Sequence, residues 1–185
     1  RIGNERAIHV EIANLASEAL QSDSELYRVD QDQYQKRNGR WYLRLPERYR
    51  NTIRTPGFKP VAARTHGDRG YFSGRINGKI IRMWDFTEEQ YQALIRLCIG
   101  INQLLPRIKL RVPGNSGRVP LGKINNFATF AGILGHAHVQ KGTAEGVVIK
   151  YDPGPAFHWS RLRRVFRQLE ARNNTVSKRK KTRKK

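Results

Sequence analysis

The sequence predicts an α/β fold, and three features of the 185-residue chain carry that prediction. A strand–turn–strand pattern spans residues 71–86, with Asn77-Gly78 at its centre. Helical periodicity follows over residues 87–105, and a second helical pattern spans residues 158–174. Because strands and helices are mixed along the chain, and its length suffices for one buried core, we expect a single α/β domain.

The hairpin is predicted from its turn chemistry, since Asn-Gly suits the positive φ angles of a type I′ turn. Two further strands are expected over residues 6–16 and 107–112. In the first of these, Ile8, Val10 and Ile12 alternate with residues on the opposite face, which carries Glu11. The polar residues 21–70 are expected to form loops with one short helix.

The helix over residues 87–105 has the clearest start signal in the chain. Thr87 can cap it and Gln90 follows three residues later, which is the spacing of a capping box. Phe86 and Tyr91 are placed as a hydrophobic staple across that cap. The second helix, residues 158–174, places apolar residues on one face and arginines on the other.

The charge of the chain indicates a polyanionic partner. The formal net charge is +21, and residues 178–185 contain seven basic side chains in eight, so +14 remains without them. We therefore expect residues 1–174 to form the domain and residues 175–185 to be a basic disordered tail that holds anionic polymers without specificity. Nucleic acid, anionic cell-wall polymer and a membrane surface all fit this charge.

Two classes of protein are excluded by composition. The single cysteine, Cys98, cannot form a disulfide framework within the chain, and it lies in a helical apolar pattern where it would be buried. No run of apolar residues approaches the length of a transmembrane helix, so no membrane span is predicted.

The stretch GHAHVQKGTAEGVVIKYDPGPAFHW, residues 135–159, concentrates groups that carry chemistry. His136 ends an apolar run, and Asp152 stands before a rigid Pro-Gly-Pro turn. His and Asp are both zinc ligands, and Lys150 would share a face with Asp152 in an extended segment. Spacing alone leaves two interpretations open, namely an ordinary surface loop and half of a metal site.

The pattern GH…K-x-DPGPAF-x-W resembles the C-terminal signature of zinc-dependent N-acetylmuramoyl-L-alanine amidases, the family related to peptidoglycan recognition proteins. The resemblance implies that His136 and Asp152 bind Zn²⁺ and that Lys150 stabilises the oxyanion of the tetrahedral intermediate. DFTEEQYQALIRL, residues 85–97, is similar to the central helix of the family. HVEIAN, residues 9–14, resembles the strand that carries its catalytic glutamate, which implies that Glu11 is the general base.

The resemblance also implies an architecture and an activity. The fold would be a central mixed β-sheet flanked by helices, and the reaction would be hydrolysis of the amide bond between N-acetylmuramic acid and L-alanine in peptidoglycan. A location in the cell envelope is favoured. The family's first zinc histidine precedes the glutamate strand, so we expect the third ligand upstream of Arg1, which would make this an N-terminally truncated and by itself inactive form.

Two other functions stay open at this point. A non-catalytic module of the same fold would bind peptidoglycan or muropeptides without cleaving them, and a basic nucleic-acid-binding domain is favoured by charge. The chain lacks an RNP signature, which weakens the second of these.

Overall fold

A computed structural model describes most of the chain. The described ranges are 7–14, 16–18, 33–45, 47–50, 52, 57–58, 60–115, 118–142 and 150–182, with the backbone alone at 16–18, 49–50 and 173–182. These residues contain both strands and helices, so the chain is of the general α/β class that we predicted.

Two small antiparallel sheets form the β structure of the described residues. The larger has the strand order β1-β5-β4, with β1 at Ala16–Glu18, β4 at Phe72–Ile76 and β5 at Lys79–Met83. The smaller pairs β2, Tyr34–Arg37, with β3, Arg40–Leu43. Every pairing between these five strands is antiparallel, so the single mixed sheet that we expected is not what this part of the chain forms.

Both hairpins turn at an Asn-Gly pair. Asn77 and Gly78 join β4 to β5 with φ angles of 48° and 97°, and Asn38 and Gly39 join β2 to β3 with φ angles of 48° and 73°. These positive values are those that a type I′ turn requires. The hairpin predicted within residues 71–86 is therefore confirmed, whereas the hairpin at 34–43 lies in a region that we expected to be mostly loop.

Four α-helices lie in the described residues: α1 at Glu47–Arg50, α2 at Glu88–Leu104, α3 at His136–Val139 and α4 at Trp159–Thr182. A 3₁₀ turn covers Phe127–Thr129. At α2 the expected capping box is present, because the Thr87 hydroxyl accepts from the Gln90 N–H and the Gln90 side chain accepts from the Thr87 N–H.

Helix α4 is longer than the sequence pattern indicated. It continues through Thr182, so the backbone of residues 175–182 is helical where we expected disorder, and residues 183–185 lie outside the described part. Lysine and arginine are good helix formers, and adding residues to an existing helix avoids the unfavourable nucleation step. Like-charge repulsion is therefore not sufficient to end this helix at residue 174.

Two of the predicted strands are not found. Residues 7–14 and 107–112 have no regular structure, and the strand nearest to the first prediction is β1, which begins only at Ala16. Ile8 and Val10 are 51% and 45% exposed, so the alternation of apolar residues does not produce a buried face there. An alternating segment becomes a strand only where a neighbouring strand can pair with it, and β5 pairs with residues 16–18 instead.

The main core lies between β5, α2, α4 and the segment before α4. Its largest buried members are Met83, Phe86, Tyr91, Phe157, Trp159, Leu162 and Phe166. The packing of Phe86 against Tyr91, with ring centroids 6.0 Å apart, is the expected staple. Cys98 is buried in the same cluster as predicted, and this burial raises the pKa of its thiol to about 11. None of the helices in the described ranges combines the length and apolar character that crossing a membrane requires.

Candidate metal site

Helix α3 and the Asp152 turn are packed directly against each other. The Ala137 N–H donates to the Asp152 carbonyl oxygen over 3.1 Å. A Cβ atom on Gly135, the N-cap of α3, would lie 2.4 Å from Cδ of Pro153, so only glycine allows this approach. The start of α3, where His136 stands, is thereby fixed beside Asp152.

The side chains of His136 and Asp152 meet at this junction. Nδ1 of His136 lies 3.2 Å from Oδ2 of Asp152, and the two side chains are 41% and 58% exposed. Their expected proximity is therefore confirmed across a separation of sixteen residues, although their role as ligands stays a prediction.

The distance between these two atoms suits a shared metal ion. Two ligands of a tetrahedral Zn²⁺ at about 2.0–2.2 Å lie about 3.3–3.6 Å from each other, close to the observed separation. A nitrogen and an oxygen donor are also a usual pair for zinc. Within the described residues no group of three or more His, Cys, Asp or Glu side chains surrounds one point, so the pair provides two ligands of a possible site.

Lys150 is held by its backbone on both sides. Its N–H donates to the Lys141 carbonyl over 2.9 Å, and its carbonyl accepts from Nδ2 of Asn77 over 2.7 Å. The side chain is partly exposed and forms no described hydrogen bond or ion pair. The root of this side chain is therefore fixed two residues before Asp152.

Asn77 joins the β4–β5 turn to both halves of the site. Besides Lys150, its amide nitrogen lies 3.2 Å from the Gln140 carbonyl and 3.4 Å from the Ala137 carbonyl, and its Oδ1 accepts from the Lys123 N–H over 3.1 Å. We refer to these contacts as the Asn77 clamp. The sequence identified Asn77 only as a turn residue, and nothing local in the sequence indicates that its side chain contacts residues 46 to 73 positions away.

The Pro-Gly-Pro turn is held from below by β5. The Asp152–Pro153 peptide is cis, and Gly154 has a φ of 86°. A Cβ on Gly154 would lie 2.1 Å from Sδ of the buried Met83. The turn therefore packs against β5, the central strand of the larger sheet, and this contact fixes the distance between Asp152 and the sheet.

His138, two residues after His136, is a structural residue of this region. It is 1% exposed, and its ring packs on Trp159 with centroids 5.1 Å apart. Nδ1 accepts from the N–H of the N-cap Gly135, and Nε2 lies 2.6 Å from the Pro120 carbonyl, so Nε2 carries the hydrogen. Burial lowers the pKa of His138, which keeps the ring neutral in this arrangement.

Glu11 and His9 lie on the irregular segment 7–14, and both are exposed. No hydrogen bond or ion pair of Glu11 is found within the described part of the chain. The segment is attached just after this residue: Ile12 packs against the main core, and the Ala13 carbonyl accepts from Nε2 of Gln90. The structure thus places Glu11 on no strand, contrary to our expectation, and its role as a base stays a prediction.

Comparison with protein-family models, with curated proteins and with solved structures finds no match to this chain.

Proposed function

We propose that this chain is part of a zinc-dependent hydrolase that cleaves the amide bond between N-acetylmuramic acid and L-alanine in peptidoglycan. The observation that supports the proposal most is the 3.2 Å approach of His136 Nδ1 to Asp152 Oδ2 at the surface. These are the two residues that the GH…DPGPAF-x-W signature assigns to zinc. They are sixteen residues apart in the chain, so their approach results from the fold and not from closeness in sequence.

Each residue of the proposed site has a separate task. Zn²⁺ held by His136 and Asp152 would polarise the scissile carbonyl and lower the pKa of a water towards about 7. Lys150 would donate to the carbonyl oxygen, which becomes the oxyanion when the water attacks the carbonyl carbon, from a backbone position that the Asn77 clamp fixes. Glu11 accepts the proton of the attacking water and transfers it to the leaving amine of L-alanine.

The two parts of this assignment differ in their support. Contacts within the described residues support the pairing of His136 with Asp152 and fix the backbone at Lys150, whereas Glu11 is proposed on the HVEIAN resemblance alone. A complete site also needs a third protein ligand, which the family signature places N-terminal to the glutamate segment.

The proposal is tested with the full-length protein and purified peptidoglycan. Zinc content is measured by metal analysis, and hydrolysis is measured as stem peptides that carry a free L-alanine amino group. Asp152→Ala should lose both zinc and hydrolysis, and Glu11→Ala should lose hydrolysis but keep zinc. Asp68→Ala, which removes a carboxylate from an exposed turn, is the matched control and should keep both. Zinc loss in the Glu11 variant, or full activity of the Asp152 variant, would contradict the assigned roles.

A second function, peptidoglycan binding without cleavage, is the alternative if no third ligand completes the His136–Asp152 pair. The described residues bring together two candidate ligands and not three. A binding module would sediment with peptidoglycan, release no stem peptides, and bind equally well after treatment with a chelator. Loss of binding in the chelator would argue against this alternative.

A further inference from the structure

A second cleft lies between the N-terminal halves of α2 and α4, and it shares no residue with the His136–Asp152 pair. Its volume is about 520 Å³, which is within the usual range of small-molecule sites. Its polar lining consists of Arg64, Glu88, His158, Arg161, Arg164 and Gln168. Ile95 and Val165 provide apolar wall, so the cleft offers cations beside a surface on which a flat or aliphatic group can rest.

Arg64 is held in place by a buried carboxylate. Its Nε donates to Oδ2 of Asp85 over 2.6 Å, and its Nη2 donates to the Ala156 carbonyl. The Asp85 side chain is fully buried and is further satisfied by the Phe86 N–H and the Tyr91 hydroxyl. The guanidinium also stacks 4.6 Å from the centre of the Phe72 ring. Arg64 is therefore fixed in orientation, and these contacts use two of its five N–H groups.

Arg161, on α4, is held in a similar way. Its two terminal nitrogens both bond the carboxylate of Glu88, and its guanidinium lies 5.1 Å from the centre of the Tyr91 ring. This pairing lowers the pKa of Glu88 to about 2, so Glu88 stays ionised at any ordinary pH. Each carboxylate near the cleft is thus matched by one arginine.

Arg164 is the arginine of the cleft that belongs to neither of these two ion pairs. It is exposed, and it has no hydrogen-bond or ion-pair partner within the described residues. It lies one turn along α4 from Arg161 and faces the same cleft. The cleft therefore carries one guanidinium without a carboxylate partner among the described residues, together with two that are held in carboxylate pairs.

The pKa of His158 is sensitive to the positive charges in this cleft. Burial lowers the pKa of His158, and the positive charges of Arg64, Arg161 and Arg164 lower it further, against an opposite effect of Asp85. The ring is therefore neutral near pH 7, in a position where a bound anion would favour its protonated form.

We propose that this cleft binds a phosphate ester, with the anion between Arg64, Arg161 and Arg164 and its organic part against Ile95 and Val165. Guanidinium groups match the oxygens of phosphate in geometry and stay charged at every physiological pH. The amide of Gln168 adds a neutral donor at the same wall. Both a nucleotide-like monoester and the phosphodiester backbone of a polymer present this chemistry. The proposal is independent of amide hydrolysis at the His136–Asp152 pair.

Binding of three probes at constant ionic strength tests the proposal by calorimetry: inorganic phosphate, a nucleoside 5′-monophosphate and a short single-stranded DNA. Arg164→Gln should weaken binding about tenfold, the usual loss for one charged hydrogen bond. Arg167→Gln removes the same charge from an exposed position of the same helix outside the cleft, and it should change binding less than about twofold. Tighter binding of the DNA than of the monophosphate would identify a polymer as the source, and the reverse a small ester.

A second measurement depends on the cleft and not on total charge. The pKa of His158, followed by NMR, should rise when phosphate binds and should also rise in Arg164→Gln, but it should stay unchanged in Arg167→Gln. Equal losses of affinity in the two arginine variants would show general electrostatic attraction and overturn the proposal. It would also be overturned if no probe bound at millimolar concentration, or if phosphate left the His158 pKa unmoved.

Discussion

Replacing Asn77 by glycine removes the Asn77 clamp while keeping a residue that accepts the positive φ of the turn. Asn38→Gly is a matched control, because Asn38 has the same φ of 48° in the other Asn-Gly turn, where its side chain is exposed. Any effect of glycine on the backbone, in the folded or the unfolded chain, is therefore common to both variants. The difference between the two variants isolates the side chain of Asn77.

The size of that difference follows from the contacts that are lost. Nδ2 of Asn77 donates to the Lys150 carbonyl at 2.7 Å and the Gln140 carbonyl at 3.2 Å, and Oδ1 accepts from Lys123 at 3.1 Å. At about 1 kcal/mol net for each hydrogen bond, the free energy of unfolding should fall by about 3 kcal/mol more in Asn77→Gly than in Asn38→Gly. For a chain of this size that corresponds to about 6–12 °C in Tm.

Urea unfolding followed by circular dichroism gives the two free energies, and hydrogen exchange locates the change. Faster exchange is expected at the amides of Lys123 and Lys150 and within α3 in the Asn77 variant alone. A difference below about 0.5 kcal/mol between the variants, or equal exchange at Lys123, would show that the clamp does not hold the site together.

Two further predictions concern residues under the site. Burial lowers the pKa of His138 from 6.5, so on acidification the unfolded chain binds this proton before the folded chain does. The contribution of the neutral ring to the free energy of unfolding is therefore fully present above about pH 6.5, and it is lost as the pH falls towards the folded-state pKa. His138→Asn should flatten the slope of unfolding free energy between pH 5 and 7, and an unchanged slope would assign it to other groups. Gly154→Ala should cost about 2 kcal/mol more than Gly67→Ala in denaturant titrations, because both have positive φ but only the first places a Cβ against Met83. Equal losses would show that Met83 moves aside freely.

The parts of the fold that sequence predicted well are those fixed by local chemistry. The Thr87 cap with Gln90, the Phe86–Tyr91 staple and the Asn77-Gly78 turn each involve residues within five positions, and each is present. The hairpin at 34–43 carries the same Asn-Gly signal and could have been found in the same way.

The parts that failed depend on partners distant in the chain. The alternation around Val10 is typical of a strand, but β5 pairs with residues 16–18 and leaves residues 7–14 irregular. His138 resembled its exposed neighbour His136 in sequence, and only the carbonyl of Pro120 and the ring of Trp159 make it a buried structural residue. The spacing of His136 and Asp152 in the chain predicts no contact between them. Their approach was expected only from the resemblance to the amidase signature.

Because the residue that forms the clamp is followed by glycine, the clamp is also a site of expected deamidation. Asparagine followed by glycine is the sequence most prone to deamidation, since glycine offers no side chain to hinder attack by its backbone nitrogen on the amide. At position 77 the product would be a carboxylate facing the carbonyl oxygens of Ala137, Gln140 and Lys150, with no N–H left to donate to them. Deamidation of Asn38 would alter only an exposed turn. Deamidation of Asn77 would remove the hydrogen bonds that hold the segments carrying His136 and Lys150.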